Sequence, residues 1–472
     1  MTVGRRGRIL PAWVFVAAYA VLLLCVPTRL IVGPIGAPGT PANLLAIAGL
    51  LWWLCSLVGG LGQAHGATLV RSAFAIFAAA CLVSYASGHL GGWSQPADIH
   101  QRSDRLWERA DVHQVTEVIA SASDRGLLAL AGWAGILLVT ADGIRSWEQL
   151  DRLVDWIVHA AGAVAAMAVA QYFTGINLAA YLHVPGLVGL VDFGNALSRS
   201  DLNRVVATSA HPIELGVVMA ALLPLASYRA LREPRRPGPW IPVALVGVAA
   251  LMSVSRSAVV VLGVASVVLF VGWPTRTRLV AMVAAVPLAL ALRVALPGLL
   301  GTIRSLFTGL AGDPSVAGRT DDYPLVFRLV EMRPLTGQGL FTFVPMVYRT
   351  VDNQLLILLL ELGVLGTLAF AVLFLAAQVA AWTPRRLGLP HQQCQLGYAV
   401  SASMVGIVAS YATFDALSFR QVAGLTFLFF GLAGAVHHLS RATARVTVGA
   451  SPPSTSVGAT GADATPRRVP AT

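Results

Sequence analysis

The sequence contains no lysine, so all 33 of its basic residues are arginine, and only 22 of its 472 residues are acidic. Charged residues make up 12% of the chain against 56% hydrophobic, a balance that excludes an ordinary soluble globular domain. A net charge of +11 could suit a nucleic-acid binder, but the arginines are scattered between apolar runs and form no basic stripe or aromatic-interleaved patch. Nucleic acid is therefore excluded as a partner. Cysteine is scarce too: Cys25, Cys55, Cys81 and Cys394 show neither disulfide nor metal spacing. No cluster of His or acidic residues has ligand spacing, so neither metal nor cofactor is expected.

What is present is a succession of apolar runs. A membrane-spanning helix takes about 20 mostly apolar residues, and the sequence predicts twelve, near 9–26, 42–61, 69–87, 126–141, 153–173, 212–228, 241–254, 257–272, 279–300, 354–382, 396–413 and 422–438. Arg5, Arg6 and Arg8 ahead of the first run resemble a secretory signal, but no convincing cleavage site follows, so this run reads as an uncleaved helix. "SVSRSA" at 253–258 reads as a tight turn between two helices. With a cytoplasmic N-terminus and every run crossing, the cytoplasmic segments carry 18 Arg against 6 acidic residues and the outer segments 15 against 16. That is the positive-inside bias, concentrated in "RALREPRRPGPW", "WPTRTR" and "TPRRLGLP".

The expected fold is an all-α integral membrane bundle of about twelve transmembrane helices in the inner or plasma membrane, with both termini cytoplasmic. Residues 1–440 form the membrane domain, with long extracytoplasmic segments at 88–125, 174–211 and 301–353, where function is expected to reside. Residues 441–472, rich in Ser, Thr, Pro, Gly and Ala towards the end, are expected to be a disordered cytoplasmic tail. Residues 142–155 mix Trp147 and Leu150 with charges, as a helix lying at the cytoplasmic interface does.

Chemistry concentrates between Gly318 and Phe370. From about Thr320 to Met332, apolar and charged residues alternate as on an amphipathic surface helix, with Thr320, Asp321 or Asp322 capping its start. "RPLTGQG" then makes a turn, in which Gly337 and Gly339 permit backbone conformations closed to other residues. Asp352 and Asn353 stand at the mouth of the tenth span. Gly363 and Gly366 follow as a small-residue pair suited to close helix packing.

These spacings resemble the O-antigen polymerase and O-antigen ligase superfamily. Its loop motif, Arg, ten residues and Gly, is met by Arg328 and Gly339. Its second motif, His and Asn, nine residues, Gly, two residues and Gly, is met by Asn353, Gly363 and Gly366, with Asp352 where the family usually carries His. The likeness extends over about 200–440, through "NRVVATSAHPIELGVVMAALLPLA" and the Ser-Arg turn at Arg256. The resemblance implies a polymerase or ligase that moves a polyprenyl-diphosphate-linked oligo- or polysaccharide to an acceptor hydroxyl on the extracytoplasmic face. Its partners would be that donor, a glycan or lipid-anchored acceptor, membrane lipid and other polysaccharide assembly and export proteins.

Such a transfer needs positive charge on the departing diphosphate and a base near the incoming oxygen. Arginine suits the first task because its planar fork binds phosphate oxygens bidentately. Arg204, Arg319 and Arg328 are the candidates for the diphosphate. The catalytic candidates are Asp352, Asn353, Arg256 and His211. Asp352 and Asn353 could equally cap the tenth helix, and His211 is the alternative base. Glu361, costly within a span, is expected to pair with an Arg of a neighbouring helix, and Asp415 and Arg420 to shape the last outer turn. A lipid-linked sugar flippase would instead show paired halves, broken helices or mid-membrane charges, which are scarce in the sequence. A catalytically inactive scaffold of an export complex is the other alternative. Sugar identity, linkage and the choice between polymerase and ligase have no readable code.

Overall fold

The computed structural model describes residues 11–59, 69–94, 112–189, 198–199, 202–295, 301 and 314–449. These residues are almost entirely helical. The helices are α1 (Ala12–Cys25), α2 (Pro41–Val58), α3 (Leu69–Gly91), α4 (Val112–Gly143), α5 (Trp147–Thr174), α6 (Pro212–Arg232) and α7 (Trp240–Met252). They continue with α8 (Arg256–Gly272), α9 (Thr275–Ala295), α10 (Pro314–Met332), α11 (Gln354–Ala381), α12 (His391–Ala409) and α13 (Arg420–Gly449). Two very short antiparallel pairings are the strands among the described residues. One of them, Leu30–Ile31 with Val188–Gly189, staples the α1–α2 connection to the segment after α5.

Among the described residues, seven helices are long and apolar enough to cross a membrane: α2, α3, α4, α5, α6, α11 and α13. The apolar helices α1, α7 and α8 have 14, 13 and 17 residues. At 1.5 Å per residue they measure about 20–26 Å against a hydrocarbon core of about 30 Å. "SVSRSA" does separate two helices, because Val254 takes a positive φ of 47° between α7 and α8. Three other expectations change. The interfacial stretch 142–155 is not a separate helix; Ser146 caps α5 by accepting from Gln149 N at 3.2 Å, and the helix runs without interruption to Thr174. The outer segment 88–125 is partly helical, since α4 starts at Val112. The last helix continues past residue 440 to Gly449, and 450–472 lie outside the described residues.

Burial identifies the centre of the bundle. In α13, Val422, Leu425, Phe427, Leu428, Phe429, Phe430, Leu432 and Val436 are all fully buried, so the helix is enclosed on every side, as an apolar helix without a polar face must be. It packs on α4, where a Cβ on Gly431 would come within 2.7 Å of Thr140 Cβ. Around this pair α2 packs on α4, α3 on α11, α8 on α12, and α7 on α5 and α6. The four cysteines are free, and only Cys81 is fully buried.

The starts of α6, α8, α11 and α13 gather at one end of the bundle around the 410–419 turn. Gln354 N donates to Phe414 O at 3.1 Å and Leu417 N to Gln354 Oε1 at 2.7 Å. Thr413 Oγ1 donates to Ser257 Oγ at 2.8 Å, and Gln421 N to the Glu214 carboxylate at 2.9 Å. Four helices thus start in the same region and direct the positive ends of their dipoles towards it.

Candidate functional site

The start of α11 is held by Asn353, whose side chain accepts from Leu355 N at 3.0 Å and Leu356 N at 3.3 Å. Asn353 is therefore the cap, and Asp352 is left to other work. The helix then breaks: Gly363 has φ 64° and ψ −169°. A break strands the polar backbone on both sides, which is tolerated deep in a bundle only if other protein groups satisfy it. The motif turn does this. Gln338 N and Gly339 N both donate to Glu361 O at 2.9 Å, and Ser84 Oγ donates to the same oxygen at 2.7 Å. Val364 N donates to Pro334 O at 2.8 Å and Leu365 N to Leu335 O at 3.1 Å.

The two glycine-bearing segments therefore fit one another. A Cβ on Gly337 would strike Glu361 O, and one on Gly363 would strike Leu335 O. Gly337 and Gly339 have φ of 63° and 112°, as the turn required. The reading of Gly363 and Gly366 as a helix-packing pair is corrected: Gly363 is the break itself, and a Cβ on Gly366 would meet Leu362 of its own helix. The turn is anchored to the end of α3, where Arg333 donates to Ser87 O at 2.6 Å and to Gly91 O, and Gln338 exchanges hydrogen bonds with Ser94.

Among the described residues, Glu361 is not paired with an arginine. Its buried carboxylate accepts from Phe343 N at 3.1 Å and from Phe341 N, so the chain after the turn folds over it. Glu361 lies at the floor of a cavity of about 300 Å³, about 12 Å along α11 from its cap. Three arginines line this cavity: Arg125 from α4, Arg349 from the segment before α11, and Arg420 from the start of α13. Asp415 lines it as well, with Tyr19, Trp133 and Phe341 among its apolar walls. At 32 residues α4 is about 48 Å long, which lets its first turns project beyond the hydrocarbon core and leaves Arg125 near the boundary.

Arg420, Arg349 and Asp415 are held by named partners. Arg420 donates through Nε to Ala37 O at 3.0 Å and through Nη1 to Thr28 O at 2.7 Å, tying the α1–α2 connection across the cavity. Arg349 pairs with Asp322 of α10. Asp322 does not cap α10, which begins at Pro314; it sits inside the helix, and burial pushes its carboxyl above the usual range against the pull of Arg349. The Asp352 N–H also donates to Asp322. Burial and the neighbouring Asp352 push Asp415 up to about 7. Among the described residues, no three His, Cys, Asp or Glu side chains are grouped to hold a metal ion.

Among the described residues, the remaining candidates are not part of the cavity wall. His211 caps α6, its Nδ1 accepting from Ile213 N at 3.1 Å, and burial together with Arg204 lowers its pKa to about 4. Its ring is thus neutral, with the proton on Nε2. Buried Arg204 donates to Ser253 O at 3.2 Å, at the carbonyl end of α7. Arg256 opens α8, beside Ser257 and hence the 410–419 turn. Arg328 is exposed on α10 while Gly339 is buried, so the two ends of the loop motif do not meet. The Arg319 side chain lies outside the described residues. Sequence reasoning missed Arg125 and Arg349 entirely and gave Asp415 and Arg420 only a turn-shaping role; the one available signal was an Asp and an Arg together in an otherwise short polar connection.

Residues 241–371 match the O-antigen ligase family. The matched stretch is narrower than the 200–440 of the sequence likeness; it contains Arg256, Arg349, Asp352 and the glycine break and ends before Asp415. It supports the O-antigen ligase superfamily, and with it a glycosyl-transferring role in polysaccharide assembly, for this membrane protein. No curated protein matches the chain.

Proposed function

Proceeding from the O-antigen ligase superfamily, we propose that the protein is a polymerase or ligase that transfers a polyprenyl-diphosphate-linked glycan to an acceptor hydroxyl at the extracytoplasmic end of the bundle. The observation that carries this reading is the cavity that Arg125, Arg349 and Arg420 line together with Asp415 where four helices begin. A diphosphate is the ligand such a cavity suits. Guanidinium groups on three walls bring positive charge and further N–H donors to its oxygens, and helix N-termini add positive potential without reorganisation. Arginine stays charged beside lipid, so the stabilisation of the leaving group needs no metal ion.

In this reading the acceptor oxygen attacks the anomeric carbon, the bond from that carbon to the diphosphate oxygen breaks, and the electron pair leaves with the polyprenyl diphosphate. A carboxylate on the acceptor side takes the hydroxyl proton. Arg256 and His211, at adjoining helix starts, and Asp352 and Asn353, at the mouth, contribute to the shape and charge of the acceptor side. Arg204, Arg319 and Arg328 remain candidates for contacts with the donor beyond its diphosphate. The twelve-crossing topology in the inner or plasma membrane, with both termini cytoplasmic, belongs to the same proposal, as do the contacts with assembly and export proteins.

A broken helix and a carboxylate at membrane depth are features a flippase would have, and the structure has both, contrary to the scarcity read from the sequence. Here, however, the break is closed by the protein's own 334–339 turn rather than left for a substrate. Deleting the gene tests the proposal. Single-repeat surface glycans in the deletion strain would mark a lost polymerase, and accumulated long lipid-linked chains a lost ligase. Complementation with Arg420→Ala should fail at normal membrane abundance. Unchanged surface glycan on deletion, or purified protein that moves lipid-linked sugar across vesicles without transferring it, would sink the proposal. An Arg420→Ala variant that restores the glycan fully would point to an inactive scaffold.

A further inference from the structure

We propose that Asp415, not Asp352, is the general base that removes the proton from the acceptor hydroxyl. This rests on the transferase reading above and assigns the one proton-accepting role that reading leaves open. Three observations carry it. Asp415 lines the cavity beside Arg349 and Arg420, whereas Asp352 does not reach the cavity wall and directs its own N–H to Asp322 on α10. The Asp415 carboxylate is positioned: Ser418 donates to it from its side chain, and the turn that carries it is bonded on both flanks to Gln354 at the start of α11. A base held by its surroundings is what an oriented proton transfer needs.

The third observation concerns charge. Asp415 faces Asp352 from the start of α11 and Glu361 from the cavity floor, with Arg349, Arg420 and Arg125 on the other walls. Burial and Asp352 outweigh the hydrogen bonds from the backbone and from Ser418 and bring the Asp415 carboxyl up to about 7, the range in which a general base both ionises and binds a proton well near neutral pH. Asp352 stands where the family usually carries His. In this chain it acts through its neighbour: its negative charge raises the proton affinity of the carboxylate that touches the acceptor. Asp352 is then a positioning residue and Asp415 the catalytic one. The proton leaves the acceptor oxygen as the new bond to the anomeric carbon forms, resides on Asp415, and is released to water after the polyprenyl diphosphate departs.

The experiment uses the full-length protein in proteoliposomes, with lipid-linked glycan extracted from the deletion strain as donor and acceptor source. Asp415→Asn should lower the transfer rate by about 100-fold or more without lowering the thermal unfolding temperature, and Asp415→Glu should recover part of it. Asp352→Asn should move the acid limb of the pH–rate profile from near 7 to lower pH. Asp415→Asn activity within tenfold of wild type, or an unmoved acid limb in Asp352→Asn, would overturn the assignment while leaving the transferase reading standing. Wild-type protein that leaves the extract unchanged would overturn both.

Discussion

At the residue scale, the least replaceable groups are those whose backbone or charge has no second solution. Gly363 is one, because φ 64° disfavours other residues and a Cβ would strike Leu335 O. Gly363→Ala is expected to destabilise the protein by about 1–3 kcal/mol, read as a lowered unfolding temperature in detergent, and Gly337→Ala by a comparable amount. His211 gives a pH effect of known sign. Its folded pKa of about 4 lies below the ordinary histidine value of 6.5, so the unfolded chain binds more protons between those limits. Its contribution to stability is complete above pH 6.5 and is lost as the pH falls towards 4. Asp415 acts oppositely, since its folded pKa of about 7 exceeds the ordinary 3.8, and stability falls as the pH rises from 4 through 7. His211→Asn keeps a capping side chain and should remove the acid-side loss, which unfolding temperatures across pH 4–7 would detect. If the variant and wild type lose stability in parallel, His211 is not held neutral.

At the scale of elements, α11 depends on its cap and its break in different ways. Asn353→Ala removes the acceptor for two N–H groups and should cost about 1 kcal/mol, while Asn353→Asp should cost little. Chemical denaturation of the two variants checks this, and equal losses would mean that the cap contributes nothing. The glycine spacing of the motif is legible in the sequence, as is the turn at 334–339. The purpose of that spacing is not. Gly363 and Gly366 satisfy a small-residue helix-packing pattern as written, and only the meeting of Pro334–Gly339 with Glu361–Leu365 shows that the first glycine interrupts the helix and that the turn satisfies the interruption. Asp322 shows the same limit: its residue type suits a cap, but a distant arginine, Arg349, claimed it.

At the scale of the whole molecule, the positive-inside reading places residues 341–353 outside and the 383–390 connection inside. Met346 and Arg386 are exposed at these two places. With the four native cysteines replaced, Met346→Cys should react with a membrane-impermeant maleimide in intact cells, and Arg386→Cys only after permeabilisation. The reverse pattern would invert the topology and remove the cavity from the extracytoplasmic face. The sequence by itself determined the membrane class, the helical runs, the arginine asymmetry and the motif spacing, because each is a property of consecutive residues and their local periodicity. The cavity was decided by tertiary structure alone. Arg125, Arg349, Asp415 and Arg420 come from elements up to about 300 positions apart, and a carboxylate's proton affinity depends on burial and on neighbours such as Asp352 that only packing brings alongside it.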